Sequence, residues 1–324
     1  MSLLLPILAV AAGLAALVWS ADRFVDGAAA SARLLGVPAL LVGMVVVGFG
    51  TSAPELTVSA ISAWEGNPSI ALGNAWGSNI CNIALILGTT AAIAPVAVRR
   101  DVYRFDLPVL LVATGLSWLL VRDGGVSRQN AWILLAVFAA WLAGSTFLAM
   151  RAGDAAGERH AAGSGLSGRM AAVWTFVGLA GLVLSSRALV WGAVELARAI
   201  GVSDLVIGLT IVAVGTSLPE LASSIAAARK GEDDLAVGNV VGSNLFNTLA
   251  VVGLAGAIHP MPDADPAIAG RDIPAALLLT VLLAVFGLPR LWRGGGNGRI
   301  SRPVGWILLA GYAGYLVQLV RAEI

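Results

Sequence analysis

Cysteine, histidine and charge are all scarce in this chain. One cysteine, Cys81, and two histidines, His160 and His259, occur among 324 residues. An internal disulfide is therefore excluded, and a zinc or copper centre of His and Cys ligands has nothing to be built from. Charged residues make up 12% and the formal net charge is +1, whereas soluble domains carry roughly 25% charged residues. With 58% hydrophobic residues and a mean hydropathy of +0.87, a soluble fold has no means of hiding its apolar surface. No basic stretch is interleaved with aromatics, so no nucleic-acid partner is expected. The chain has no His-Glu-x-x-His pair and no Gly-x-Ser-x-Gly elbow, which speaks against an intramembrane enzyme. The run Gly294-Gly295-Gly296-Asn297-Gly298 lacks the Lys-Ser/Thr of a phosphate loop and reads as a turn. A Lys/Arg-rich start is also missing, so the first apolar run is expected to be a retained helix.

Long apolar runs are what the chain has in abundance. Crossing ~30 Å of hydrocarbon takes around 20 mostly apolar residues as helix. About ten stretches qualify: 3–22, 37–61, 69–94, 105–121, 130–150, 170–192, 202–228, 235–257, 272–289 and 303–320. The expectation is an all-α integral membrane protein whose partner is the lipid bilayer. The longest connection, 151–169, is rich in Gly, Ala and Ser and reads as a flexible tether, dividing the chain into 1–150 and 170–324. If the N-terminus is outside, the inner loops receive Arg33, Arg99, Arg100, Arg104, Arg151, Arg159, Arg169, Arg229, Lys230, Arg290, Arg293, Arg299 and Arg302, while the outer ones keep Arg122, Arg128, Arg198, Arg271 and Arg321. An excess of Lys and Arg marks the cytoplasmic side. Both termini are then expected outside and the linker inside.

The two halves are copies, 165 positions apart. Gly48-Phe49-Gly50-Thr51-Ser52-Ala53-Pro54-Glu55 returns as Ala213-Val214-Gly215-Thr216-Ser217-Leu218-Pro219-Glu220. Gly73-Asn74-Ala75-Trp76-Gly77-Ser78-Asn79-Ile80-Cys81-Asn82 returns as Gly238-Asn239-Val240-Val241-Gly242-Ser243-Asn244-Leu245-Phe246-Asn247, again without a gap. Five spans per copy is an odd number, so the copies are expected to be inverted across the bilayer. The basic loop Arg99–Arg104 and its acidic counterpart, 260–266, agree with that inversion. Inverted repeats with broken helices near the midplane are the architecture of many secondary transporters.

The repeated polar residues carry the chemistry. Each proline removes a backbone donor and breaks its helix, which is expected to free carbonyls near Gly48 and Ala213. Thr51 and Glu55, like Thr216 and Glu220, stand at i and i+4 and share a face. Asn74, Ser78 and Asn82 form a polar stripe, as do Asn239, Ser243 and Asn247. Converging stripes give carboxylates, hydroxyls, amides and carbonyls, an all-oxygen set suited to Ca²⁺ or Na⁺. A buried acid repeated in both halves of a membrane protein points to a functional site. Blander roles compete. The glutamates are alternatively protonated groups that stabilise the kinks, and the Ser and Thr hydroxyls alternatively bond their own i−4 carbonyls. Asn74 and Asn239 are alternatively clamps between helices, and Asn79 and Asn244 suit packing or gating better than ligation. Asp22, Arg23, Asp26, Arg187 and Glu195 read as salt-bridging or snorkelling residues.

These paired motifs resemble the alpha repeats of the cation/calcium exchanger superfamily, and the chain is similar in length and span count to its prokaryotic sodium/calcium exchangers. The resemblance implies two inverted five-helix repeats and a cation site. Gly48, Thr51, Ser52, Glu55, Ser78 and Asn82 would come from the first repeat, with Ala213, Thr216, Ser217, Glu220, Ser243 and Asn247 from the second; Gly48 and Ala213 would act through their carbonyls. It further implies an antiporter working by alternating access, in which the first and sixth helices slide as a pair. No cofactor is expected beyond the transported Ca²⁺ and Na⁺. Relatives often carry Asp where this chain has Asn82 or Asn247, so only two formal charges sit at the centre, enough for one Ca²⁺ or two Na⁺. Proton coupling is therefore the close rival to Na⁺ coupling, and a cation channel the more distant one.

Overall fold

A computed structural model describes residues 3–100, 102–122, 125–156, 166–201, 213–262, 265–292 and 298–323. The first half runs α1 (Leu4–Leu35), α2 (Ala39–Thr51), α3 (Ala53–Trp64), α4 (Ile70–Ile93), a short β1 (Val96–Val98), α5 (Val102–Val121) and α6 (Arg128–Ala156). The second runs α7 (Gly168–Ala199), α8 (Ala213–Thr216), α9 (Leu218–Arg229), α10 (Asp233–Ile258), α11 (Ile268–Phe286), β2 (Gly298–Ile300) and α12 (Arg302–Glu323). Among the described residues, seven helices are long and apolar enough to cross a membrane, and an eighth span is added if α2 and α3, bent by 47°, count as one. Every stretch read from the sequence as a span has a helical counterpart. The two outside that tally are α12 and the stretch ending in α9, whose start, 202–212, lies outside the described residues. The linker differs from its reading at both ends. α6 continues to Ala156, and α7 begins at Gly168 with the Ser167 hydroxyl accepting from the Met170 amide at 3.4 Å; 157–165 are outside the described residues.

The duplication seen in the sequence is also a duplication of backbone irregularities. α4 and α10 each widen into a π-helical segment, Cys81–Leu87 and Phe246–Val251, beginning 165 positions apart. Such wide turns are rare and tend to sit at functional places. α1 ends at Gly36 and α7 is followed by Gly201, at φ +64° and +84°, while α3 and α9 are followed by Gly66 and Gly231, at +76° and +73°. Left-handed backbone there needs glycine, and both stops recur at the repeat offset. β1 pairs antiparallel with β2, the segment before α12 (Ala97 opposite Arg299). The copy of that pairing is the single bridge between Met261, after α10, and Val126, before α6.

Packing follows a pseudo-two-fold axis. α1 and α7 lie against each other along their length. Gly13 faces Leu189 and its copy Gly178 faces Phe24; Gly27 faces Ala171 and Thr175, and its copy Gly192 faces Pro6 and Val10. Each of these residues lies 165 positions from its equivalent, so the two-fold holds residue by residue. Small residues let membrane helices approach this closely. α4 and α10 form the centre, 72% and 83% buried, whereas α6 is 17% buried inside the protein. Ser78, Asn82, Asn239, Ser243 and Asn247 of the polar stripes are therefore buried in protein, and Asn74 is half-buried at a cavity.

Candidate cation site

Pro54 and Pro219 stand in the first turns of α3 and α9, where a missing amide costs least. The residues before those helices, Ser52 and Ser217, adopt nearly the same non-helical conformation (φ −84°, ψ 5° and φ −94°, ψ 9°). The break therefore leaves Glu55 and Glu220 in a helical first turn, where unpaired amides and the helix dipole favour negative charge. Both glutamates are 1% exposed.

The carbonyls near each break behave differently from one repeat to the other. The Gly48 carbonyl accepts from the Ser52 amide at 3.0 Å, and from the Ser243 hydroxyl of the other repeat at 3.4 Å. The Ser217 amide donates to Val214 O at 3.1 Å, a tighter turn that does not use Ala213. The expectation of freed carbonyls thus fits the second repeat better than the first.

The two breaks meet. The Ser52 hydroxyl donates to Glu220 Oε1 at 3.2 Å, and Thr51 Oγ1 lies 3.1 Å from Asn239 Oδ1. Thr51 also donates to its own Val47 carbonyl at 2.9 Å, the local bond that membrane Ser and Thr commonly make. Asn74 donates to the Glu55 carbonyl at 3.0 Å and to Ser59 at 2.9 Å; Asn239 donates to the Glu220 carbonyl at 3.1 Å, to Ser223 at 3.1 Å and to Ser224 at 2.8 Å. These amides hold each broken helix to its neighbour. Asn79 donates to Thr248 at 2.9 Å, Asn82 donates to Asn244 Oδ1 at 2.9 Å, and Asn244 donates to the Asn79 carbonyl at 3.4 Å. The asparagine cluster thus ties α4 to α10 across the repeat boundary. Ser59, Ser224 and Thr248 were missed in the sequence. The signal for the serines was available, since Ser59 and Ser224 each lie four residues past a glutamate, at the repeat offset.

What the arrangement leaves over is oxygen. Both carboxylate oxygens of Glu55, Oε2 of Glu220, the Ser217 hydroxyl, Asn82 Oδ1 and both polar atoms of Asn247 are buried without a hydrogen-bond partner. Buried polar groups are nearly always satisfied, and a buried carboxylate without a partner is costlier still. Apart from the Asn247 amide nitrogen, these atoms are acceptors, the kind of group that a cation satisfies. Among the described residues no three His, Cys, Asp or Glu side chains converge so as to hold a metal ion, so neutral oxygens must supply most of any coordination shell. Ser78 and Thr216 line a cavity of about 570 Å³ that extends past Cys81 to Asp265, Arg271, Asp272 and Tyr315. At its far end Arg271 and the Tyr315 hydroxyl both donate to Asp272 Oδ1, at 2.6 and 3.0 Å. A second cavity of about 370 Å³, between α3, α7 and α9, also reaches Thr216.

The sodium/calcium exchanger protein family model matches residues 5–147 and again 170–321. The chain belongs to this family. A putative antiporter, CaxA, of Alkalimonas amylolytica is 43% identical over 307 residues, 94% of this chain and 95% of that protein. The sodium/calcium exchanger MaX1 of Methanosarcina acetivorans is 29% identical over 95% of this chain and 96% of that one. Among solved structures, the sodium-calcium exchanger NCX_Mj, soaked without Na⁺ and Ca²⁺, superposes with a TM-score of 0.82 at 30% identity, covering 98% of this chain and 100% of the other. As a family member this chain has the two-repeat membrane exchanger fold.

Proposed function

We propose that this chain is a secondary antiporter that exchanges Ca²⁺ for Na⁺ by alternating access, with cations bound where the two broken helices meet. The observation that carries the reading is the set of buried acceptors left unpartnered at Glu55, Glu220, Ser217, Asn82 and Asn247. Gly48, Thr51, Ser52 and Ser78 complete the ligand set from the first repeat, and Ala213, Thr216 and Ser243 from the second. Two carboxylates neutralise one Ca²⁺ or two Na⁺, so the two cargoes compete for the same charge. Nothing in such an exchange makes or breaks a covalent bond. The decisive measurement is uptake of radioactive Ca²⁺ into proteoliposomes: uptake should require Na⁺ on the opposite side of the membrane. Uptake driven by a pH gradient without Na⁺ would assign proton coupling, and uptake needing no counter-ion would make the protein a channel.

Residues 1–150 and 170–324 form the two repeats in this reading, joined by a cytoplasmic linker, and both termini lie outside a prokaryotic plasma membrane. The Lys/Arg-rich loops then sit in the cytoplasm. Cysteines placed at Ser164 and Asp263, both outside the described residues, should label from opposite sides of the membrane, Ser164 from the cytoplasm. Labelling of both from one side would overturn the inverted topology.

A further inference from the structure

On the face that carries β1 and β2, ionic contacts tie α1 to the end of α9 and the start of α10. Lys230 donates to Asp26 Oδ1 at 2.8 Å and to the Asp22 carbonyl at 2.7 Å, with Asp22 Oδ1 at 3.4 Å. Arg33 donates to Glu232 Oε1 at 3.0 Å. α1 also packs along α9. Because the two-fold holds residue by residue in these helices, each position has an equivalent 165 residues away; Asp26 becomes Trp191, and Arg33 with Glu232 becomes Arg198 with Asn67, so of these contacts only Lys230 with Asp22 keeps a charge on both sides. Asp22 becomes Arg187 and Lys230 becomes Glu65. The charges exchange sides, so the equivalent pair is again of opposite sign.

That equivalent pair is not made. Arg187 and Glu65 are both exposed and form no ion pair among the described residues. Where α1 packs on α9, the matching surfaces of α7 and α3 are held apart by the cavity of about 370 Å³ that Arg187 lines with Pro54, Thr57 and Val58. An arginine beside a cation path is unfavourable unless it has a task. Its own helix offers no counter-charge to it: Glu195 is engaged by Arg198 at 3.4 Å.

We propose that Arg187 and Glu65 are the second half of a two-ended ionic latch. Lys230 with Asp22 and Asp26 holds the β1–β2 face shut. When α1 and α7 slide as a pair, that contact breaks and Arg187 closes on Glu65, holding the opposite face shut. The latch rests on the alternating-access reading above and sets the balance between the two open states. It is a bias and no part of the ion site, so Ca²⁺ binding does not depend on it. Exposed ion pairs shift an equilibrium by only a few-fold, and salt screens them.

The test is a cross-link in proteoliposomes. Glu65→Cys with Arg187→Cys, oxidised with copper phenanthroline and read as the linked peptide by mass spectrometry, should give a low yield that rises several-fold when Lys230→Ala releases the other end. A yield indifferent to Lys230→Ala, or no link in either background, overturns the latch, while Na⁺-dependent Ca²⁺ uptake would still stand and keep the antiporter reading intact. Should the double cysteine protein fail to fold, charge reversal decides. Arg187→Glu alone should slow exchange about three-fold, in line with an exposed pair, and Glu65→Lys together with Arg187→Glu should restore it; failure to restore overturns the proposal.

Discussion

Glu55→Gln and Glu220→Gln should each abolish Na⁺-dependent Ca²⁺ uptake while the purified protein stays folded. Glutamine keeps the shape of the side chain but removes half of the formal charge in the site and turns one oxygen into an N–H donor. Ca²⁺ affinity is tuned over decades by the charge count of its ligands, so a loss of at least about 100-fold in apparent affinity is expected. Stability should move the other way. Both Glu55 oxygens are buried without a protein partner, and neutralising a buried, unpaired charge relieves its desolvation cost. The midpoint of thermal unfolding in cation-free detergent solution should therefore hold or rise in Glu55→Gln. The effect should be smaller in Glu220→Gln, because Glu220 Oε1 already accepts from Ser52. Robust uptake by either variant would remove the carboxylates from the site. A fall in stability with uptake retained would support a kink-stabilising role instead.

Gly178→Ala should badly damage the α1–α7 interface. A Cβ at that position would lie 2.5 Å from the backbone nitrogen of Phe24, and backbone cannot rotate out of the way as a side chain can. The two helices must part along their length, and overpacking of this kind costs about 1–3 kcal/mol. Gly144→Ala in α6 is the matched control, since nothing lies within 4 Å of the added methyl and alanine is the better helix former by up to about 1 kcal/mol. Thermal unfolding of the two variants should shift in opposite directions, with Gly178→Ala also slowing exchange because the pair that slides is the pair that is disrupted. Equal midpoints would mean that α1 and α7 do not pack as closely as described.

Several features were legible before any coordinates. Low charge and long apolar runs led to membrane helices because lipid admits few other spanning structures, and the gapless offset between the two motifs carried the duplication. The glutamates stood out because an acid in an apolar run is expensive and this chain carries it twice. Helix ends were less legible. The first span was read as ending near Asp22, yet α1 continues to Leu35. Its charged residues find partners on α9 and α10, distant in sequence, and its small residues, Gly27 among them, find α7. No local pattern carries such information.

What the sequence by itself determined is therefore what depends on composition and repetition: the solvent the chain folds in, the two copies and the broken helices. Repetition, however, is symmetric, and the protein is not. The tertiary structure alone decided that Ser52 reaches Glu220 while Ser217 is left unpartnered, that Gly48 spends its carbonyl on Ser52 and Ser243, and that Lys230 has closed on Asp22 and Asp26 while Arg187 and Glu65 stand apart. Equivalent halves need not share one set of contacts, because each side chain's partners are fixed by packing between elements distant in sequence and not by its own repeat.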